Sequence, residues 1–331
     1  MFRNCLSFLG AFIFKEALTQ ITVSFRPKGE NYTPANRAVH VYSFLAIARK
    51  DIFFKPLLRK SSALLFLTLL FVATAFCQNK RIPYGRNDSI GKFYDVRGIK
   101  MYTEVYGTGK PLLMIHGNGG SISAFGGTIP YFAKKYQVIA VDSRAHGRTT
   151  DSKDSLSFEM MADDFDALLT AMHIDSCYVL GWSDGGINAI LLAMRHPDKV
   201  IKFASTGANL WPDSTGLVAS YWIGEQKDYA NWQKKMPLIT AKDKNDYKIF
   251  MLDMLQPNIK LSALHAIKCP ALIIGGDHDL IPVPHTVQIA QNIPRSYLWI
   301  VPNSGHGTLQ EHRDEFNTIV DNFFEKAFKK R

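Results

Sequence analysis

The chain has 331 residues, 47% hydrophobic and 21% charged, a composition that excludes a disordered or fibrous polypeptide and leaves room for one large α/β domain or two small ones. Its formal charge of +10 is concentrated near the start: residues 1–77 hold ten Lys and Arg against three Asp and Glu, and the remainder is close to neutral at +3. That distribution removes the main argument for a nucleic-acid partner.

In chain order the first informative stretch is "KPLLRKSSALLFLTLLFVATAFCQ". Lys55, Arg59 and Lys60 precede 14 mostly apolar residues, Ala63 to Phe76. The run is short for a membrane-crossing helix and suits the hydrophobic part of a signal peptide, here about 55–77. Residues 1–77 are therefore read as a presequence and 78–331 as the folded domain. The expectation is a mature chain starting near Gln78, exported to the periplasm or the medium, with no stable membrane span. A lipoprotein acylated on Cys77 and an uncleaved N-terminal anchor are the alternatives. No methionine falls between Met1 and Met101. Two origins for residues 1–50 stay open: a non-standard start codon near residue 50, or a long presequence.

From Gly91 onward, apolar runs of strand length alternate with amphipathic stretches. The strand candidates are "KFYDV", "KMYTEVY", "PLLMIH", "YQVIAVD", "CYVLGW", "VIKFAS", "ALIIGG" and "SYLWIV". The later runs are nearly continuous in apolar character, as parallel strands covered on both faces must be. Between them "SFEMMADDFDALLTAMHI" and "GGINAILLAMRHP" carry helical spacing, the second stopped by Pro197. The fold class is α/β: a mostly parallel eight-stranded sheet with helices on both faces, and an antiparallel hairpin from the first two runs at one edge.

The segment 209–261, which follows the sixth strand, breaks this rhythm. It has Trp211, Tyr221, Trp222, Tyr229 and Trp232 among many Lys and Asp but no clear strand, and it reads as a small helical cap whose aromatic residues form its own core, with a ligand cage as the alternative. No Cys/His group has metal-ligand spacing, and "GTGKP" lacks the full phosphate-loop pattern, so neither metal nor cofactor is expected. Cys177 and Cys269 begin strands that are not neighbours in the inferred order, and both are expected as buried free thiols.

The pentapeptide "GWSDG", residues 181–185, lies between a strand and a helix, the context of a serine carried on a tight, strained elbow. A serine hydroxyl is a weak nucleophile until a base removes its proton, so a carboxylate and a histidine should follow it in that order. "ALIIGGDHDLIP" offers Asp277 and Asp279 just beyond one strand, and "LWIVPNSGHGT" offers His306 just beyond the next. Both lie at the carboxyl ends of strands, where sites of open α/β sheets form. His116, His146 and His278 also sit beyond strand ends and are weaker candidates. The backbone N–H of Asp184 and that of Asn118, in the glycine-rich turn "HGNGG", are the candidate donors to an oxyanion.

Taken in order across about 220 residues, "HGNGG", "VDSRAHGRT", "GWSDGG", "GGDHDLIP" and "NSGHG" resemble the α/β-hydrolase superfamily. "LGWSDGG", the following "GAN" and the later "CPALIIGG" resemble its valacyclovir-hydrolase (biphenyl-hydrolase-like) serine esterases. The resemblance implies Ser183 as nucleophile, His306 as base and Asp279 as the acid, three residues after Gly276, with Asp277 as runner-up. Where the superfamily turn has glycine this chain has Ala145, which puts the local backbone shape in question. Asp184 has two readings: a helix-start carboxylate favoured by the helix dipole, or, as the resemblance implies, a residue that binds the ammonium of an amino-acid ester. Trp182 and Asp184 are the candidate substrate-binding residues.

The expected function is a cofactor-independent serine hydrolase acting on small carboxylic esters through an acyl-enzyme, with α-amino acid esters as one substrate class. A prolyl-type aminopeptidase, a lactonase and a carbon–carbon bond hydrolase are neighbouring readings. A non-catalytic ligand-binding protein on the same fold is the reading from a different class.

Overall fold

The computed structural model describes residues 82–151 and 155–329; the segment at 55–77 with Cys77, the start at Gln78 and residues 1–50 lie outside them. Eight strands form one sheet: β1 (Lys92–Val96), β2 (Ile99–Tyr106), β3 (Lys110–Ile115), β4 (Tyr136–Val141), β5 (Cys177–Trp182), β6 (Val200–Thr206), β7 (Ala271–Gly276) and β8 (Ser296–Val301). Their spatial order is β1-β2-β4-β3-β5-β6-β7-β8. β1 pairs antiparallel with β2 and β2 antiparallel with β4, and every later pairing is parallel. The hairpin at one edge and the parallel body both follow the sequence reading.

Among the described residues eight α-helices accompany the sheet: α1 (Ile129–Phe132), α2 (Phe158–Ala171), α3 (Asp184–Arg195), α4 (Ala219–Lys234), α5 (Ala241–Leu255), α6 (Val283–Asn292), α7 (Thr308–Glu311) and α8 (Arg313–Glu325). The inner strands are mostly apolar because alternate side chains enter two different cores. In β3, Leu113 and Ile115 join α2, α3 and α6 in one core, while Leu112 and Met114 join α1 and α8 in the other. α2 starts where the Ser157 side chain accepts a hydrogen bond from the Met160 N–H at 3.1 Å, which satisfies one of the unpaired donors at a helix start.

Two helices occupy the segment after β6, and they differ from the rest. α4 buries none of its residues, and α5 buries only Lys248, Ile249 and Leu252. Trp232 of α4 meets Tyr247 and Phe250 of α5 at ring-centroid distances of 5.5 and 6.3 Å, a small core internal to this pair. Trp211 instead packs on the His285 ring of α6 at 4.8 Å. Lys248 reaches the Asp151 carboxylate at 3.0 Å, and Asp151 also meets Arg144 at 3.1 Å, so buried ion pairs tie α5 to the loop after β4.

Cys177 and Cys269 are buried free thiols, with β6 lying between their strands. Burial pushes their thiols up to about 12 and about 11. Ala145, where the superfamily resemblance expects glycine, keeps the left-handed backbone with φ of 66°. A non-glycine residue there stores roughly 1–3 kcal/mol of strain. The Asn245 side chain of α5 donates to the Ala145 carbonyl at 2.8 Å. Among the described residues no helix is long and apolar enough to cross a membrane.

Candidate active site

Ser183 joins β5 to α3 with φ of 57° and ψ of −121°, far from the conformations an L-residue prefers. The small neighbours explain how the turn closes. A Cβ on Gly181 would lie 1.9 Å from the Gly185 carbonyl oxygen, and one on Gly185 would lie 1.9 Å from that of Ile115. Neither position can hold a side chain without moving the backbone, so the spacing around the serine is a packing requirement.

The ends of β7 and β8 bring the partners. The His306 Nε2 stands 2.9 Å from the Ser183 Oγ, and its Nδ1 stands 2.7 Å from the Asp279 Oδ1. Since the carboxylate accepts at Nδ1, the imidazole carries its proton there and leaves the Nε2 lone pair facing the hydroxyl. Asp279 is buried, and its Oδ1 also accepts from the Ile281 N–H at 3.1 Å.

Asp277, the other candidate acid, serves elsewhere. It accepts from the Ser304 N–H at 3.0 Å and pairs with His278 at 2.7 Å. Backbone hydrogen bonds from the 303–304 turn, with His278, hold its carboxyl down at about 2. Asp277 therefore anchors the loop that bears His306 without touching the imidazole.

The weaker histidine candidates are likewise committed. His116 donates from Nδ1 to the Gly117 carbonyl at 2.7 Å and accepts at Nε2 from the Ser143 N–H at 3.1 Å. Burial drives its imidazole down to about 3, so it is neutral. His146 is buried, donates from Nδ1 to the Arg144 carbonyl at 2.8 Å, and is lowered by burial too.

Ser183 opens into a cavity of about 200 Å³ lined by Asn118, Trp182, Asp184, Tyr221, Glu225, Asp253 and His306 among others. Within the described residues, neither the Asn118 nor the Asp184 backbone N–H has an acceptor in the protein. Two uncommitted donors beside a serine hydroxyl are what a developing oxyanion requires. Trp182 also lines this cavity, and its indole N–H donates to the His306 carbonyl at 2.9 Å.

The Asp184 carboxylate is buried and accepts from the Asn118 amide Nδ2 at 3.0 Å. It also shares a hydrogen bond with the Asp253 carboxyl of α5. Two carboxyl groups can hydrogen-bond only through a proton that one of them retains. Burial lifts Asp184 to about 6, and burial with the neighbouring Asp184 charge lifts Asp253 well above the usual carboxylate range. Burial also raises Glu225 of α4, which lines the cavity beside Tyr221. Among the described residues no Lys or Arg lines this cavity. A full negative charge about 4 Å from an oxyanion would oppose it by roughly 4 kcal/mol at an effective dielectric near 20. The shared proton and the Asn118 amide reduce that opposition when no cation is bound.

Asp253 and Glu225 were not singled out in the sequence, and Tyr221 was noted only as one of the aromatic residues of the segment 209–261. Acidic and aromatic residues on a weakly amphipathic helix look like a solvated face, and nothing in their spacing refers to a serine 38 to 70 positions earlier.

Comparison with known proteins agrees with this architecture. The α/β-hydrolase fold family matches residues 110–231. The human serine hydrolase BPHL is 28% identical over 250 residues, covering 70% of this chain and 84% of that protein. The 2-hydroxymuconate semialdehyde hydrolase of Pseudomonas sp. (strain CF600) is 26% identical, covering 72% of this chain and 95% of the relative. Among solved structures, Est816, described as an N-acyl homoserine lactone degrading enzyme, has a TM-score of 0.59 at 26% identity over 70% of this chain and 99% of its own. The enol-lactonase of Burkholderia xenovorans LB400 shares the fold, with a TM-score of 0.58 at 20% identity over 71% of this chain and 100% of its own.

Proposed function

We propose, for a chain that is an α/β-hydrolase superfamily member resembling the biphenyl-hydrolase-like serine hydrolases, that it cleaves carboxylic esters of small molecules through an acyl-enzyme on Ser183. The observation that carries this reading is the unbroken line from the Asp279 Oδ1 through both imidazole nitrogens of His306 to the Ser183 Oγ, at 2.7 and 2.9 Å.

His306 Nε2 takes the hydroxyl proton as Ser183 attacks the ester carbonyl. Asp279 holds the imidazole in the tautomer that leaves Nε2 free and balances the imidazolium that forms. The backbone N–H groups of Asn118 and Asp184 receive the negative oxygen. His306 then returns its proton to the departing alcohol, and a water activated by the same Nε2 releases the acid.

The substrate class we propose is α-amino acid esters. Its support is the lining of the cavity: Asp184, Asp253 and Glu225 converge there, with no Lys or Arg beside them among the described residues. A buried group of carboxylates without a basic partner either keeps protons or receives a cation. An ammonium bound there takes the place of the shared proton and leaves the ester carbon toward Ser183.

Export is the location we propose, from the basic and apolar pattern at 55–77. N-terminal mass spectrometry of the protein recovered from its native host should find a start near Gln78; an intact 55–77 segment, or a lipid on Cys77, overturns that expectation.

The mechanism is tested with a fluorophosphonate probe, which labels only an activated serine. Labelling of the native protein and its loss in Ser183→Ala are expected, with the fold retained by circular dichroism. Absence of labelling in the native protein, or its persistence in Ser183→Ala, would refute the assignment of Ser183.

A further inference from the structure

Trp182 precedes the nucleophile in the chain and contacts the base in space. It ends β5, so its backbone is fixed in the parallel sheet by pairing with Thr206 of β6. Its side chain extends to the opposite wall of the site. The indole Nε1–H donates to the His306 carbonyl at 2.9 Å, and the indole and imidazole rings lie 5.9 Å apart at 43°.

The bonds of the loop bearing His306, residues 302–307, show why this contact matters. One end is well held. Asp277 accepts from the Ser304 N–H, the Ser304 carbonyl accepts from the His278 N–H at 3.0 Å, and Glu311 accepts from the Gly305 N–H at 2.8 Å. The other end is held by helix bonds to the Gly307 carbonyl and by the contact of the Thr206 and Thr308 hydroxyls at 2.7 Å. Among the described residues, the backbone of His306 itself has one hydrogen-bond partner, the Trp182 indole. The side chain has Asp279 on one nitrogen and Ser183 on the other. Asp279 fixes the tautomer and one point on the ring, but the imidazole can still swing about that point if its Cα moves.

We propose that Trp182 is a positioning residue for the base, which holds the backbone of His306 at a fixed distance from the nucleophile and thereby sets the Nε2 to Oγ separation. The inference rests on the serine-hydrolase reading above and gives Trp182 a task other than the substrate contact expected from its place beside Ser183. The linkage is short: Trp182 is covalently joined to Ser183, and its indole is hydrogen-bonded to the residue whose imidazole must take the Ser183 proton. Proton transfer from an oxygen to a nitrogen is sensitive to such a separation, because a displacement of about 1 Å is enough to cost on the order of 100-fold in rate.

The two halves of the indole can be tested separately. Trp182→Phe keeps an aromatic ring and removes the N–H. Trp182→His keeps a five-membered ring with an N–H in the position of the indole nitrogen and removes the fused six-membered ring. Both are to be compared with the native protein for the second-order rate of fluorophosphonate labelling and for kcat and KM on a small neutral ester, with thermal melting as the check on folding.

The expected result is a fall in labelling rate and in kcat of about 10- to 100-fold for Trp182→Phe at unchanged KM, and partial recovery of both in Trp182→His. Equal labelling rates for the native protein and Trp182→Phe overturn the inference while leaving Ser183 as the nucleophile. So does a rise in KM at unchanged kcat, which assigns Trp182 to substrate contact, or a loss in Trp182→His as large as in Trp182→Phe. Failure of the native protein to label overturns the serine-hydrolase reading itself, and this inference with it.

Discussion

The two sides of the cavity at Ser183 are built on different principles. On the sheet side, Ser183, Asp279 and His306 stand at the ends of β5, β7 and β8, each followed or flanked by a turn whose backbone is hydrogen-bonded, and Asp279 is paired with the imidazole. On the cap side, α4 and α5 contribute Tyr221, Glu225 and Asp253 from helices that bury three residues between them. Their carboxyls are raised by burial, that of Asp253 also by the neighbouring Asp184, and among the described residues no Lys or Arg lines the cavity with them. A group that must transfer a proton within a few tenths of an ångström needs a stiff support, and parallel strands covered on both faces supply it. Groups that only choose a substrate can sit on a lightly packed cap and keep unbalanced charge for a ligand to neutralise.

The largest effect that separates the two sides belongs to the acid. Asp279→Asn should lower kcat for every ester on the order of 10⁴-fold, because the imidazole tautomer is no longer held. Asp277→Asn should cost far less, since that carboxylate touches the 303–304 turn and His278 but not the imidazole. Steady-state kinetics on one neutral and one α-amino ester check both. A loss confined to one ester class would break the division between a catalytic sheet side and a selective cap side.

A smaller and more selective effect is expected from Asp253. Asp253→Asn should raise KM for α-amino esters by about 10- to 100-fold, the range for losing a charge-assisted hydrogen bond, and leave neutral esters within about twofold. Asp184→Asn should show the same preference, because it keeps the backbone N–H that would receive the oxyanion. The pH dependence carries the sign. Burial raises the Asp184 carboxyl, and the pair it forms with Asp253 gains negative charge as pH rises above the usual carboxylate range. KM for α-amino esters should therefore fall as pH rises from about 5 to 7, while KM for neutral esters stays level. A uniform change in both classes would return Asp184 to the role of a helix-start residue.

Much of the candidate catalytic side was legible because its elements carry strong local signals. "CYVLGW" before the serine and "GGINAILLAM" after it give a strand, a tight turn and a helix, and the clashes at Gly181 and Gly185 are the physical reason for the glycines. His306 and the pair Asp277 and Asp279 were found from order and from their places beyond strand ends. Choosing between the two aspartates needed either the family resemblance or three-dimensional geometry, since the residues lie two apart in one turn. Ala145 illustrates the opposite case: the sequence raised the question of backbone shape, and the fold answers it by holding alanine at φ of 66°.

By itself the sequence determined the α/β class, the hairpin at one edge, the strand ends at which a serine, an acid and a histidine emerge, and the free state of the two buried cysteines. These follow from hydrophobic period, strand length and the steric demands of a tight turn, all of which act over a few residues. Only the tertiary structure decided that Asp184 meets Asp253 of a helix some 70 positions later, that Glu225 lines the same cavity, and that the Trp182 indole reaches the His306 carbonyl. Such contacts arise where separate elements pack together, and a side chain's partner across that packing leaves no mark on the spacing of its own segment.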